Sequence, residues 1–132
     1  MENGALIQLD TSVLIDYLRK TKKANTFFVE LADRYDYFAV SVITKFEIYI
    51  GCTEAQKPFW NAIFENITVL PLNNECIEAA IKIQQQLKKK SKQIDLPDLL
   101  IAATAYQNGL PLATLNTKHF NRVDNLELVA RL

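Results

Sequence analysis

The alternation of apolar and polar positions changes period several times along the chain, and each change marks a predicted element. Short apolar, β-branched or aromatic runs are typical of buried strands and predict five of them, the last one the weakest, at 5–9, 37–40, 67–72, 110–114 and 126–129. Between these runs, apolar residues recur at the spacing of one helical face and predict helices at 11–19, 25–34, 42–50, 55–65, 74–90 and 96–107. The chain therefore alternates between strands and helices.

The helix predicted over 96–107 carries the clearest end signals. Asp95 is suited to its N-cap, Pro97 to its first turn, and Asn108-Gly109 to its stop. Its body, LLIAATAY, is apolar on every side, so we expect several neighbouring elements to bury this helix.

Strands that alternate with helices in this way indicate an α/β fold, with a mostly parallel sheet of four to five strands and helices on both faces. In such sheets, ligands bind outside the carboxyl ends of the strands. A length of 132 residues fits a single domain over 1–132 and is enough for a substantial core.

Composition and charge narrow the class of protein but not its ligand. The chain is 49% hydrophobic and 23% charged, close to the average for globular proteins, so disorder and repeat architectures are not expected. Its formal net charge is zero, which gives no global argument for binding nucleic acid or membrane. Two basic clusters could meet phosphates or simply form a solvated helix end and loop: Arg19, Lys20, Lys22 and Lys23, and Lys82, Lys88, Lys89, Lys90 and Lys92.

Membrane and disulfide chemistry are not expected. No segment approaches the ~20 apolar residues that span a bilayer, and the apolar run at the N-terminus is too short for a secretory signal. We therefore expect a cytoplasmic protein that does not bind membranes. Cys52 and Cys76 are too few and too far apart for a zinc site, and we interpret both as small core residues.

Three acidic residues stand where a carboxylate is costly to bury. Asp10 separates an apolar strand from an apolar helix, Glu47 lies in mid-helix among apolar neighbours, and Asp98 opens the buried helix. Each also has a simpler structural explanation. Asp10 could cap the first helix, and Asp98 could form a capping box with the cap residue before it. Glu47 could pair with a lysine such as Lys45 or Lys118.

Convergence of the three carboxylates would require a cation. Two carboxylates within ~5 Å repel by roughly 3 kcal/mol at an effective dielectric of ~20, so three pairs would cost roughly 10 kcal/mol, comparable with the stability of a whole domain. Oxygen ligands without several cysteines or histidines suit Mg²⁺ or Mn²⁺ rather than zinc. A water made acidic by such an ion can attack a phosphodiester while the ion stabilises charge on the phosphate oxygens.

Four segments carry these acids and the polar residues near the end of the chain, in the order LDTSVLIDYLR, SVITKFEIYIG, DLPDLLIAATA and LATLNTKHFNRV. In this order they resemble the four motifs of the PIN-domain nucleases and, among them, of the VapC-like toxins of bacterial toxin–antitoxin pairs. The resemblance covers nearly the whole chain. It implies that the α/β fold is a three-layer α/β/α sandwich.

The resemblance also implies roles for individual residues. Asp10, Glu47 and Asp98 would hold Mg²⁺ or Mn²⁺ and a water that cleaves RNA. Three hydroxyl residues would support this acidic site, although the first two are also good helix-start residues: Thr11, Ser12 and Thr114.

The fourth motif departs from the fully acidic pattern of many relatives. Where they have an aspartate, this chain has Asn116, and His119 follows three residues later. Asn116 would complete the catalytic set by giving a neutral oxygen or by bonding a metal-bound water. His119, the sole histidine of the chain, could touch a substrate phosphate or merely pack beside Phe120.

Two functions of different class remain open on the sequence. The first is a ribonuclease toxin that depends on Mg²⁺ or Mn²⁺, is held inactive by a small antitoxin and forms a homodimer, as the resemblance implies. The second is a PIN-like module that binds RNA or protein without catalysis. A nucleotide-binding domain lacks support, because neither G-x-G-x-x-G nor G-x-x-x-x-G-K-[ST] occurs. Partner faces are predicted at FFVELADRYDYF and PFWNAIF, which are rich in aromatic residues.

Overall fold

The structure is a computed structural model that describes residues 5–131, and its strands form one parallel sheet. The strands are β1 (Leu6–Leu9), β2 (Tyr37–Ser41), β3 (Thr68–Leu70), β4 (Leu112–Ala113) and β5 (Leu128–Val129). Their order across the sheet is β3-β2-β1-β4-β5, and every neighbouring pair is parallel. The predicted α/β fold is confirmed, and β1 occupies the centre of the sheet.

Seven α-helices and two short 3₁₀ turns, at Lys23–Asn25 and Glu54–Gln56, connect the strands within residues 5–131. The helices are α1 (Thr11–Arg19), α2 (Phe27–Ala32), α3 (Val42–Gly51), α4 (Lys57–Glu65), α5 (Asn74–Lys89), α6 (Leu96–Gln107) and α7 (Thr117–Phe120). The bounds of α6 are those predicted from its end signals.

Two helices begin two residues later than the sequence pattern predicts. The helix predicted over 25–34 is split, because Thr26 is fully buried in an extended conformation and its hydroxyl donates to the carbonyl of Lys23 at 2.6 Å. The chain therefore turns before α2 begins. Similarly, the helix predicted over 55–65 starts two residues late, after a 3₁₀ turn that a capping box closes.

The last part of the chain contains one element that the sequence pattern did not predict. α7 has four residues, little more than one turn, which is too short to show a periodic pattern. The strands near it are also short, since β4 and β5 keep two residues each of the segments predicted for them. The chain therefore makes its last crossover mostly in turns.

Side chains on the two faces of the sheet belong to two separate hydrophobic clusters. Ile7 and Leu9 point to one face, where they pack with buried residues of α1 to α4, including Trp60. On the other face, Leu112 packs with buried residues of α5 and α6. Because helices cover both faces, the molecule is a three-layer α/β/α sandwich, as predicted.

α6 is buried on several sides, as its sequence predicts. Leu99 and every residue of 101–105 are buried. Gln8, in the middle of β1, donates from Nε2 to the carbonyl of Ile101 at 3.0 Å and fixes this helix across the central strand. Asn108 is the C-cap of the helix, and Gly109 adopts the left-handed φ of 65° that turns the chain toward β4.

Other predictions can be compared with the structure directly. Cys76 is buried and Cys52 packs against the first cluster, so their interpretation as core residues is confirmed. Within residues 5–131, no helix is both long enough and apolar enough to cross a membrane. The single domain over 1–132 stays a prediction, and residues 1–4 and 132 lie outside the described residues.

Candidate active site

The segments that follow the three central strands meet at the carboxyl edge of the sheet. Asp10 follows β1, α3 with Glu47 follows β2, and Thr114 follows β4. The first turn of α6 brings Asp98 to the same edge, where its Oδ2 lies 3.2 Å from Nδ1 of His119. The order of the strands therefore gathers residues that are far apart in the sequence.

Asp10 is only 4% exposed, and its hydrogen bonds reach one carboxylate oxygen. Oδ2 accepts from Ser12 Oγ at 2.7 Å and from Thr114 Oγ1 at 2.8 Å. Both donors are neutral, and Asp10 has no ion-pair partner among residues 5–131. Since a carboxylate buried with only neutral donors is costly, this arrangement favours a cation at the other oxygen, Oδ1.

The two hydroxyl groups are oriented toward Asp10 by backbone donors. Ser12 Oγ accepts from the amide of Leu115 at 3.1 Å, and Thr114 Oγ1 accepts from the amide of Asn116 at 2.9 Å. A hydroxyl has a single proton, so each one that accepts from the backbone directs its proton to the carboxylate. Ser12 and Thr114 thus support Asp10, and Ser12 also lies in the first turn of α1, so both explanations of Ser12 agree with the structure.

Glu47 is joined to the start of α1 by a hydroxyl contact. Thr11 Oγ1 lies 2.8 Å from Glu47 Oε1 and 2.9 Å from Thr44 Oγ1. The single Thr11 proton cannot serve both contacts, and a charged carboxylate is the stronger acceptor, so we assign this proton to Glu47. Thr44 was missed at the sequence level. The sequence did contain a signal for Thr44, because this residue lies three positions before Glu47 on the same helical face.

His119 stands between Asp98 and Asn116. Its Nδ1 lies 3.2 Å from Asp98 Oδ2 and 2.9 Å from Asn116 Nδ2. These two contacts demand different tautomers, because Nδ1 must carry a proton to donate to Asp98 and a lone pair to accept from the amide nitrogen. The charged carboxylate is the stronger acceptor, so we place the proton on Nδ1. Rotating the Asn116 amide by half a turn then presents an oxygen, so that Asp98 and Asn116 share this one proton in a three-centre hydrogen bond.

The charge of Asp10 acts on Asp98. Burial raises the pKa of the Asp98 carboxyl above its usual range, and the negative charges of Asp10 and Asp95 raise it further, against the opposing hydrogen bond from His119. The carboxyls of Asp10 and Asp98 are therefore close enough to repel each other. A cation bound beside them would favour the charged form of Asp98 and lower its pKa.

All the residues predicted for the site lie in one network of hydrogen bonds and adjacent positions: Asp10, Thr11, Ser12, Glu47, Asp98, Thr114, Asn116 and His119. The carboxylate oxygens of this network suit Mg²⁺ or Mn²⁺ rather than zinc. The described part of the chain holds no group of three or more His, Cys, Asp or Glu side chains already placed for a metal ion. A site with three carboxylate ligands would therefore require these side chains to draw together as the ion binds, with the charge of the ion offsetting their mutual repulsion.

The simpler explanations of the three acids do not match the contacts. Asp10 and Asp95 occupy the N-cap positions of α1 and α6, but neither side chain makes a cap hydrogen bond. Asp98 contacts His119 instead of closing a capping box. Glu47 forms no ion pair with a lysine within residues 5–131.

The amino-acid sequence of this chain is similar to a known protein family and to proteins within it. The family described as PIN domain matches residues 7–126. Ribonuclease VapC1 from Methanocaldococcus jannaschii is 38% identical over 123 residues, which are 92% of this chain and 84% of that protein.

Comparison with solved structures gives the same fold over almost the whole length. VapBC-1 from nontypeable Haemophilus influenzae matches with a TM-score of 0.83 and 25% identity, covering 95% of this chain and 97% of that one. The DNA-bound VapBC from Salmonella typhimurium matches with a TM-score of 0.84 at 19% identity, covering 96% and 98%, which shows the fold alone.

Proposed function

The chain belongs to the PIN domain family and, within it, to the VapC group, and on this basis we propose that it is the nuclease toxin of a toxin–antitoxin pair. Its reaction would be the hydrolysis of RNA phosphodiester bonds with Mg²⁺ or Mn²⁺. The observation that carries this proposal is the network that links Asp10 to Asp98 through Thr114, Asn116 and His119.

We assign the metal to three carboxylates, those of Asp10, Glu47 and Asp98. Ser12 and Thr114 hold Oδ2 of Asp10 and leave Oδ1 for the ion. When bound, a divalent ion lowers the pKa of a water and stabilises negative charge on phosphate oxygens. The ion's ligands would be three anionic oxygens, a set that Mg²⁺ and Mn²⁺ prefer.

The remaining residues would position these acids and the substrate. Thr11 orients Glu47 through its hydroxyl proton. His119, whose side chain is 41% exposed, holds Asp98 from one side and can reach a substrate phosphate from the other. Asn116 fixes the imidazole ring. The neutral Asn116 replaces a carboxylate of many relatives, so this site would carry one negative charge fewer.

Removal of divalent ions is expected to stop RNA cleavage. Purified protein should cleave RNA in Mg²⁺ or Mn²⁺, and EDTA should lower the rate at least ~100-fold, because a metal contributes several kcal/mol of transition-state stabilisation. Electrophoresis of labelled RNA measures the products. Adding back Mn²⁺ in excess of EDTA is the control, since it should restore the rate. Cleavage that continues unchanged in EDTA would show that the reaction does not use the proposed ion.

A binding module without catalysis is the second candidate, and Asn116 is the observation that favours it. An amide contributes no negative charge and holds a metal less tightly than the carboxylate found in many relatives. The two functions predict different results in Mn²⁺. RNA that is bound but not cut supports the module, whereas turnover supports the nuclease.

We propose that the antitoxin binds a groove between α1, α2 and α4. The groove has a volume of about 350 Å³ and is lined by Tyr17, Phe28, Phe38, Phe59, Ala62, Ile63, Asn66 and Ile67. Its aromatic walls support one another, with ring centroids 5.1 Å apart for Tyr17 and Phe28 and 5.0 Å apart for Phe28 and Phe38. Such an apolar surface fits an apolar helix or strand of a partner. Solved neighbours of this fold are toxin–antitoxin complexes by their descriptions.

Ala62→Glu is expected to weaken antitoxin binding by about 30-fold or more, because it places a charge in the centre of an apolar interface. Ala62 is exposed, so the substitution should not disturb the fold. The partner to test is the protein encoded by the neighbouring reading frame, and calorimetry measures its affinity. Ala55→Glu is the matched control, since Ala55 is exposed but does not line the groove. Equal affinities for the two variants would place the antitoxin elsewhere.

Homodimer formation and a cytoplasmic location stay predictions of the family resemblance. A dimer would be favoured by apolar side chains left exposed on α3, where Phe46 is 61% and Ile50 67% exposed. Light scattering on the purified chain decides its oligomeric state.

A further inference from the structure

The first of the two basic clusters serves the end of α1. Lys20 pairs with Asp16 at 2.9 Å. Lys23 donates from Nζ to the carbonyls of Leu18 and Lys20 at 2.9 Å each, and this nitrogen lies 5.1 Å from the ring centroid of Tyr17. Half of this cluster is therefore engaged in holding the C-terminal end of the helix, beside the groove proposed for the antitoxin.

The second cluster leaves more of its charge available. Lys88, Lys89 and Lys92 are exposed, and their side chains form no hydrogen bond or ion pair with any other described residue. Lys90 differs, because it pairs with Asp124. Three positive charges thus stand close together in the sequence without a partner in the described chain.

The backbone that carries these lysines is held in one conformation. α5 ends in a Schellman motif, in which the amide of Ser91 donates to the carbonyl of Lys88 at 3.1 Å and the amide of Lys92 to that of Leu87 at 3.0 Å. Ser91 adopts a left-handed φ of 56°, the conformation this motif requires. The turn therefore keeps Lys92 beside the last turn of α5, near Lys88 and Lys89.

The same segment is connected to the candidate site by one hydrogen bond and by a short stretch of chain. Arg122 donates from Nη1 to the carbonyl of Gln93 at 2.8 Å, and Arg122 lies just past His119, which contacts Asp98. Lys92 itself precedes Asp98 by few residues, a stretch that spans at most ~20 Å even when fully extended. The basic segment is thus tied to the part of the chain that carries the site.

From this placement we propose that Lys88, Lys89 and Lys92 form a basic surface that binds the phosphate backbone of single-stranded RNA and guides it to the candidate site. The inference rests on the ribonuclease function proposed above and names its substrate-binding surface. Exposed, unpaired lysines held by a defined turn suit this role. Each lysine that meets a phosphate displaces counterions that had been condensed on the RNA, and their release favours binding. Lysine contacts of this kind carry no base specificity, so the surface would bind RNA without regard to sequence.

The competing explanation is that these lysines only stabilise the C-terminus of α5. Cations near the last carbonyls of a helix interact favourably with its dipole. That role would affect thermal unfolding and leave RNA affinity unchanged. Binding measurements therefore separate the two explanations.

The test compares two double variants that lose the same charge. Lys88→Gln/Lys89→Gln removes two charges of the proposed surface, and Arg19→Gln/Lys22→Gln removes two exposed charges of the first cluster. The probe is a fluorescein-labelled single-stranded RNA of mixed sequence, and anisotropy in EDTA measures binding without cleavage. At 0.1 M salt each lost phosphate contact should weaken binding about fivefold, so the first variant should bind about 25-fold more weakly and the control should match wild type.

Adding Lys92→Gln to the first variant should bring the loss to about 100-fold and lower the slope of log affinity against log salt by about 2. Unchanged affinity and slope in this variant would overturn the basic surface, as would a wild-type protein that does not bind the probe. So would a variant that loses only antitoxin affinity, because the surface would then serve the protein partner. Cleavage in Mn²⁺, measured separately, decides the ribonuclease function whatever the binding result.

Discussion

Asp10→Asn is expected to lower RNA cleavage by roughly 10³-fold while the protein stays folded. Asparagine keeps the shape of the side chain and can still accept from Ser12 and Thr114, but it loses the negative charge that would hold the ion. The loss should appear in kcat in saturating RNA. Asp98→Asn should behave in the same way, because its charge is proposed to act on the same ion.

Two controls separate this loss from misfolding. Asp33→Asn makes the same chemical change at an exposed residue at the end of α2, and it should cleave RNA like wild type. Circular dichroism and thermal unfolding should show native folds for all three variants. Titration with Mn²⁺ followed by calorimetry should show weaker metal binding for the two site variants alone. Folded Asp10→Asn and Asp98→Asn proteins that cleave at the wild-type rate would rule out the assigned metal site.

Trp60→Ala is expected to lower the free energy of unfolding by about 3–5 kcal/mol, a large part of the ~5–15 kcal/mol that stabilises a domain. Trp60 is 1% exposed and belongs to the cluster that packs α4 onto the sheet. Its ring lies 5.1 Å from that of Phe59, which lines the groove proposed for the antitoxin. The substitution would leave a cavity that these neighbours fill only in part.

Urea denaturation measures this loss, and an exposed aromatic residue provides the control. Tyr37→Ala removes a ring that is 61% exposed, and it should change the free energy of unfolding by no more than about 0.5 kcal/mol. A lower urea midpoint at an unchanged slope would show a true loss of stability. A loss below about 1 kcal/mol for Trp60→Ala would mean that α4 does not depend on this ring for its packing.

Local signals in the sequence were enough to predict the bounds of an element when residues at its own ends determine where it starts and stops. α6 has its predicted bounds because Pro97 favours its first turn and Gly109 permits the left-handed turn that follows its last residue. The helix predicted over 25–34 was too long for a reason of the same kind. Thr26 is uncharged and does not interrupt the apolar pattern of the predicted helix. Its hydroxyl, however, donates to the carbonyl of Lys23, and the chain turns at this point.

The candidate site was predictable as a set of residues but not as a set of contacts. Asp10, Glu47 and Asp98 stood out because each carboxylate lies among apolar neighbours in the sequence. The sequence did not indicate that His119 would lie between Asp98 and Asn116, because α7 is too short to be seen as a periodic pattern. It also did not separate the two basic clusters, which look equivalent as runs of lysine and arginine.

The sequence by itself determined the alternation of strands and helices, the bounds of α6 and the residue types that a metal site needs, because periodicity and capping act over a few neighbouring positions. Only the tertiary structure decided which of these residues meet. Thr11 reaches Glu47 across 36 positions and Thr114 reaches Asp10 across 104. Both contacts exist because β1 lies between β2 and β4 in the sheet. Packing across the whole chain sets this strand order, and no local sequence pattern predicts it.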